Sequence, residues 1–142
     1  MTLPENLSAR TSYLLGRAAA RLQVLGEHDL DPLGITPREY TVLAVLADRS
    51  PLSQTQVAEI LGVDRTTILK LGASLERKGL VVRARDPNDA RAYAVALTPA
   101  GDRLRAKAFE LLLACEAEFL TPLTHRERKQ LHDLLARVLG RA

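Results

Sequence analysis

The sequence predicts a mainly α-helical chain that extends one short β-hairpin, and three observations predict it. Helix-start signatures recur at Thr36, Ser53, Asp64, Thr98 and Thr124. Across residues 81–97 the apolar period falls from about 3.6 to about 2, around a Pro87-Asn88 turn. The 142 residues are 46% apolar but only 4% aromatic, with no Trp, so the core must be built of Leu, Val and Ala.

The first helix is expected over 8–26, with Leu15, Ala18, Leu22 and Leu25 on one stripe, and a short Asp-rich linker over 27–34. Thr36-Pro37-Arg38-Glu39 then supplies a capping Thr, a Pro at the first helical position and a Glu at the third. This is a capping box with its favoured proline, and it opens a second helix over 37–48. Ser53 and Gln56 form the same box before a third helix over 54–61. Asp64 is an N-cap for a fourth helix over 65–78, closed by Gly79 as a left-handed C-cap. Residues 81–85 and 91–97 alternate as two strands, with Arg91, Tyr93, Val95 and Leu97 on one face and Ala90, Ala92, Ala94 and Ala96 on the other. Two strands alone are marginal in water, so this hairpin must lean on the helices. Thr98-Pro99 starts a fifth helix over 99–120, and the Thr124/Glu127 box a sixth over 125–139.

The third and fourth helices are joined by Gly62-Val63, a connection of two or three residues, and so short a turn forces the steep crossing of a helix-turn-helix. On the second helix of that pair, Ile68, Leu71, Gly72 and Leu75 form the inward stripe. Thr66, Lys70, Ala73 and Arg77 face outward, with Thr67 and Ser74 on one shoulder and Leu69 on the other. That outward face carries no acid, whereas a merely solvated face usually mixes Glu with Lys. Small hydroxyls and cations suit close approach to a polyanion, the hydroxyls bonding phosphates or base edges and the cations neutralising phosphates.

From Asp64 to Arg91 there are seven Lys/Arg and four acids, a net +3 equal to that of the whole chain. The basic bias is therefore concentrated in this segment. Arg83, Arg85 and Arg91 flank the hairpin turn, where they can reach a minor groove beside the helix. Asp89 is spaced to hold the Arg91 guanidinium. An isolated hairpin would carry such arginines as charges against sheet-edge pairing; beside a helix-turn-helix the DNA-reaching role is favoured.

Other functional classes find little support. The single Cys115 cannot form an intrachain disulfide and lies on an apolar stripe, which suits a reducing cytoplasm and an inert thiol. No apolar run approaches the roughly 18 residues of a membrane span. The N-terminal stretch lacks the unbroken apolar core of a secretory leader, and its arginines are accounted for by a structural helix. His125 and His132 are too far apart on one helix to share an ion, and His28 sits in a solvated acidic loop, so no metal is expected. No nucleophile elbow, Gly-rich phosphate loop or metal pair points to an enzyme, and no cofactor is implied.

The stretches "ITPREYTVLAVLA" and "LSQTQVAEILGVDRTTILKLGASLERKGLVVRARDPNDARAYAVALTPAG", followed by a long helix, resemble the MarR family of winged-helix transcriptional regulators. The resemblance covers about 35–105 and is most diagnostic in "LERKGLV", "DPNDAR" and "LTPAG". It implies a single domain over 1–142, with a DNA-binding lobe at 35–98 and helical dimerisation segments at 1–34 and 99–142. It implies a homodimer, two lobes in successive major grooves of a pseudo-palindromic duplex operator, and repression relieved by an effector. The expected DNA contacts are Gln54, Arg65, Thr66, Thr67, Lys70, Ser74, Arg77, Arg85, Asp89 and Arg91. Asp89 and Arg91 match the family's Asp-x-Arg wing tip. Three positions depart from the pattern. Ala90 replaces a residue that is often basic, Ala73 and Ser74 replace residues that are commonly charged, and Gly72 stands where a branched apolar residue is usual. Some members sense oxidants through a first-helix cysteine, which this chain lacks.

The residues themselves also argue for a dimer. The fifth helix carries Leu104, Ala108, Leu111, Cys115 and Phe119 on one stripe, and the sixth carries Leu131, Leu134, Leu135, Val138 and Leu139. That is more apolar surface than one small lobe covers. By resemblance, a small aromatic or phenolic effector is expected between the dimer helices and the lobe, with Tyr13, Arg17 and Tyr40 as the candidate contacts. The alternative reading is a winged-helix protein-interaction module without sequence-specific DNA binding.

Overall fold

The computed structural model describes residues 2–140 and, for 90–92, the backbone alone. The elements follow in the order α1 (Glu5–Ser8), α2 (Thr11–Leu30), a 3-10 turn (Asp31–Leu33), α3 (Pro37–Asp48), β1 (Leu52–Ser53), α4 (Gln54–Leu61), α5 (Arg65–Arg77), β2 (Val81–Asp86), β3 (Asp89–Leu97), α6 (Pro99–Phe119) and α7 (His125–Val138).

Every helix start read from a cap is present. The Thr36 hydroxyl accepts from the Glu39 N–H at 3.1 Å while the Thr36 N–H donates to the Glu39 carboxylate at 3.2 Å. Ser53 with Gln56 and Thr124 with Glu127 close the same reciprocal box. Asp64 caps α5 and Thr98 caps α6 through their side chains. Gly79 has φ 72°, the left-handed geometry that ends α5.

Two expectations need correction. Residues 27–30 are not linker: α2 runs on to Leu30, and 31–33 form a 3-10 turn closed by Gly34 at φ 71°. Leu30 is fully buried, and that burial holds the last helical turn against the core despite its acidic neighbours. The sheet has three strands, not two, in the order β1-β3-β2 and antiparallel throughout. Leu52 pairs with Val95 and Ser53 with Ala94, so the stretch just before α4 anchors the hairpin to the helices. Along the wing, Val81 pairs with Leu97 and Arg85 with Tyr93, and the register shifts at Arg85/Asp86, next to the turn.

The core gathers Leu30, Leu43, Leu46, Val57, Ile68, Leu75, Val81 and Val95, all between the end of α2 and β3, with Ala108 of α6 against them. The two most diagnostic motifs meet at this core's edge. A Cβ on Gly101 would overlap the Leu80 carbonyl oxygen, so glycine lets α6 start directly against the root of β2. Thr98 completes the joint, its hydroxyl donating to the Gly79 carbonyl at 2.8 Å and its N–H to that of Leu80 at 3.1 Å. No helix among the described residues is long and apolar enough to cross a membrane.

Candidate nucleic-acid interface

Helix α5 is amphipathic in the sense expected. Ile68, Gly72 and Leu75 are buried and Leu71 half-buried, which seats the helix on α3 and α4. Arg65, Thr66, Lys70 and Arg77 are exposed, together with the apolar Leu69. Among the exposed residues of α5 there is no acid. The two acids nearest this face are both engaged. Asp64 accepts from the Thr67 N–H at 2.8 Å and from the Thr67 hydroxyl at 2.6 Å. Those bonds, the hydroxyl's first, hold the Asp64 carboxyl below its ordinary pKa. Glu76 accepts from the Arg83 guanidinium at 3.0 and 3.2 Å and from the Arg83 N–H at 3.0 Å. The Arg83 side chain is its largest influence, and it lowers the Glu76 pKa. The Arg83 guanidinium also lies 6.0 Å from the centre of the Tyr93 ring. Arg83 therefore fastens the wing root to α5 and is not the free cation its sequence position suggested.

Two predicted DNA contacts turn toward the rest of the lobe. Gln54 is 4% exposed, and its amide nitrogen sits 3.4 Å from where a Gly72 Cβ would be. The absent side chain at 72 leaves the space in which this amide packs, so Gln54 joins α4 to α5 inside the lobe. Its amide nitrogen has no hydrogen-bond partner among the described residues. Ser74 is half-buried and donates to the Glu39 carboxylate at 3.1 Å. Glu39 itself was missed by the sequence reading except as a cap. It is 4% exposed and also accepts from the Lys78 ammonium at 2.8 and 2.9 Å.

At the wing, Arg85 and Asp89 are exposed on either side of a turn in which the Asp86 carboxylate accepts from the Asn88 N–H at 2.9 Å. The side chain of Arg91, and hence its expected pairing with Asp89, lies outside the described residues.

The three candidate effector contacts are not brought together within the chain. Tyr40 lines a 420 Å³ cleft with Leu22, Pro37, Leu112, Cys115 and Glu116, between α2, α3 and α6. Arg17 lines a separate depression on α2 with Arg21, Val24 and Leu25, and Tyr13 borders neither. Burial, more than the nearby Arg105 and Glu116 charges, shifts the Tyr40 hydroxyl upward. Burial likewise raises the pKa of the Cys115 thiol, with Asp29 adding to it.

Against known proteins, a model of the MarR family matches residues 33–92. A protein of Thauera aromatica named for transcriptional regulation of the hcr operon is 37% identical over 105 residues, 74% of this chain. The chain spans only 63% of that relative's length. A MarR-family transcriptional regulator from Rhodococcus sp. RHA1 superposes with a TM-score of 0.87 at 29% identity, covering 95% of this chain and 96% of that one. The transcriptional repressor CouR bound to a 23-mer DNA duplex gives a TM-score of 0.87 at 30% identity over 98% and 99% of the two chains. CouR from Rhodococcus jostii RHA1 bound to p-coumaroyl-CoA gives 0.82 at 28% identity, over 95% of each chain.

Proposed function

This chain belongs to the MarR family of transcriptional regulators, and from that premise we propose that it works as a homodimeric repressor on a pseudo-palindromic duplex operator. It is a regulator and not an enzyme. The observation that carries the proposal is the outward face of α5, cationic and hydroxylic, with both neighbouring acids already bonded to other groups. In this reading α5 enters the major groove. Thr66 meets base edges, while Arg65, Lys70 and Arg77 neutralise phosphates. Thr67 orders the start of the helix through Asp64. The wing carries Arg85, Asp89 and Arg91 toward the adjacent minor groove. Gln54 leaves the contact set because it is buried in the lobe, and Ser74 because its hydroxyl is given to the Glu39 carboxylate. That CouR is bound to duplex DNA at 30% identity supports the same use of this fold.

Residues 35–98 form the reading lobe, and 1–34 and 99–142 join two copies. Exposed Leu14, Leu15, Val24 and Leu25 on α2, Phe109, Leu111 and Leu113 on α6, Leu134 and Val138 on α7, and Leu139 just after it support that assignment. A small aromatic or phenolic effector in the cleft beside Tyr40 releases the dimer from DNA by favouring a wrongly spaced pair of lobes. It must bind that state more tightly than the DNA-competent one, or it shifts nothing. CouR bound to an aromatic acyl thioester supports this class of ligand. The regulator operates in the cytoplasm.

Selecting random duplex fragments with the purified full chain and sequencing the survivors tests the proposal. The expected product is an inverted repeat with half-sites about one helical turn apart. Its affinity should fall linearly in log salt, with a slope of about −0.9 per phosphate neutralised. No enrichment in dilute buffer would refute it.

A further inference from the structure

Resting on the DNA-binding reading above, we infer that Glu39 is a positioning residue for operator recognition: from the first turn of α3 its buried carboxylate grips Ser74 and Lys78, fixes the far end of α5, and keeps the Lys78 ammonium away from the DNA.

Glu39 is the only acid that is buried among the described residues, and it receives more than its cap requires. The Thr36 N–H and the Lys78 ammonium donate to Oε1 at 3.2 and 2.9 Å. The Ser74 hydroxyl and the same ammonium donate to Oε2 at 3.1 and 2.8 Å. Charge-assisted bonds to a buried carboxylate are strong and directional, and an acid so placed is costly to leave unpaired. One turn of α3 is thereby fastened to Ser74 of α5 and to Lys78 at its C-cap, 35 and 39 residues further along the chain.

Position along α3 gives the clamp its consequence. Pro37, Arg38, Tyr40 and Thr41, which flank Glu39, line the cleft against α2 and α6. The start of α3 therefore faces the helical scaffold on one side and holds the reading helix on the other. Packing of Ile68 and Leu75 fixes the depth of α5 in the lobe but is non-directional. The carboxylate adds an orientation. In a two-fold dimer, the relative placement of the two α5 helices decides which half-site spacing fits. Lys78, though one of the seven cations between Asp64 and Arg91, is then a structural tether and not a phosphate contact.

The test compares Glu39→Gln, Lys78→Met and Lys78→Arg with the wild-type full chain, on the selected duplex and on a scrambled duplex of equal length. Glutamine preserves the capping box and removes the charge. Glu39→Gln should lower the selected-to-scrambled affinity ratio about ten-fold, the scale of a broken indirect coupling, while affinity for scrambled DNA does not fall. Lys78→Met should lower the ratio in the same direction with an unaltered salt slope, and Lys78→Arg should restore most of it. Unchanged ratios in Glu39→Gln and Lys78→Met would overturn the inference. So would a salt slope shallower by about 0.9 in Lys78→Met, because that makes Lys78 a phosphate contact. Equal losses on both duplexes with a lowered Tm would reduce Glu39 to a scaffold residue and overturn it too. Should Glu39→Gln not fold, the two variants at the more exposed Lys78 decide the matter. A wild-type chain that binds no duplex defeats the DNA reading itself, an outcome distinct from wild-type discrimination that the variants share.

Discussion

Helices α5 and α7 are nearly equal in length, 13 and 14 residues, and each begins on a side-chain cap. Their apolar stripes nevertheless meet opposite fates. In α5, Ile68 and Leu75 are sealed inside the lobe and the polar face looks outward. In α7 no residue is buried, and Leu134 and Val138 are 56% and 80% exposed. A cap is a local device, so both helices start where the sequence says. Burial needs a partner surface, and only α5 has one within its own chain. The contrast separates two arrangements: the stripe of α5 is covered by the lobe and its polar face is left outward, whereas the stripe of α7 is left uncovered, as the proposed dimer requires.

The largest expected effect would break this contrast at α7. Replacing Leu134 and Val138 together with Asp should leave the lobe folded and convert the dimer to a monomer in light scattering. Operator affinity should then drop by at least about 100-fold, because the second lobe loses its effective concentration beside the first. An unchanged mass and affinity would mean that copies do not meet on this stripe.

A smaller effect is expected within α5. Leu75→Ala removes a fully buried side chain and should cost about 2–5 kcal/mol in urea unfolding. Leu69→Ala, on the exposed side of the same helix, should stay within about 0.5 kcal/mol. Similar costs at the two positions would show that the stripe is not the seat of α5.

What the sequence made legible follows the same division between local and distant. Caps span three or four residues, so the starts at Thr36, Ser53, Asp64, Thr98 and Thr124 could be read directly. The inward stripe of α5 was legible from its period, and the wing from its alternation. The strand Leu52–Ser53 was not, because two residues carry no period and its partner lies more than 40 residues away. Nor could the helical pattern foretell the interior position of Gln54, which depends on the space left at Gly72. Ser74 shows the limit most sharply. Its angle on the helix placed it near the DNA-facing side, but a carboxylate 35 residues earlier takes its hydroxyl. Arg83 was misread for a related reason: its charge was visible, and its neutralisation by Glu76 was not.

The smallest expected effect sharpens the comparison at the caps. Asp64 bonds Thr67 through both hydroxyl and backbone, and these bonds hold its carboxyl below the ordinary range in the folded chain. A depressed folded pKa means the stabilisation is present above the unfolded carboxylate pKa and is lost as pH falls through the folded value. Asp64→Ala should therefore lower Tm modestly near neutral pH, and its gap from wild type should close on acidification. Glu127 at the start of α7 is depressed in the same direction by its bonds with Thr124, so wild type alone would not isolate either cap. The difference between wild type and Asp64→Ala does isolate one. Asp64→Asn keeps a capping oxygen without the titration, so its own gap from wild type should also narrow in acid, from a smaller starting value. A gap for Asp64→Ala that stays constant down to the acid limb would mean that the start of α5 depends on the shape of its cap and not on its charge.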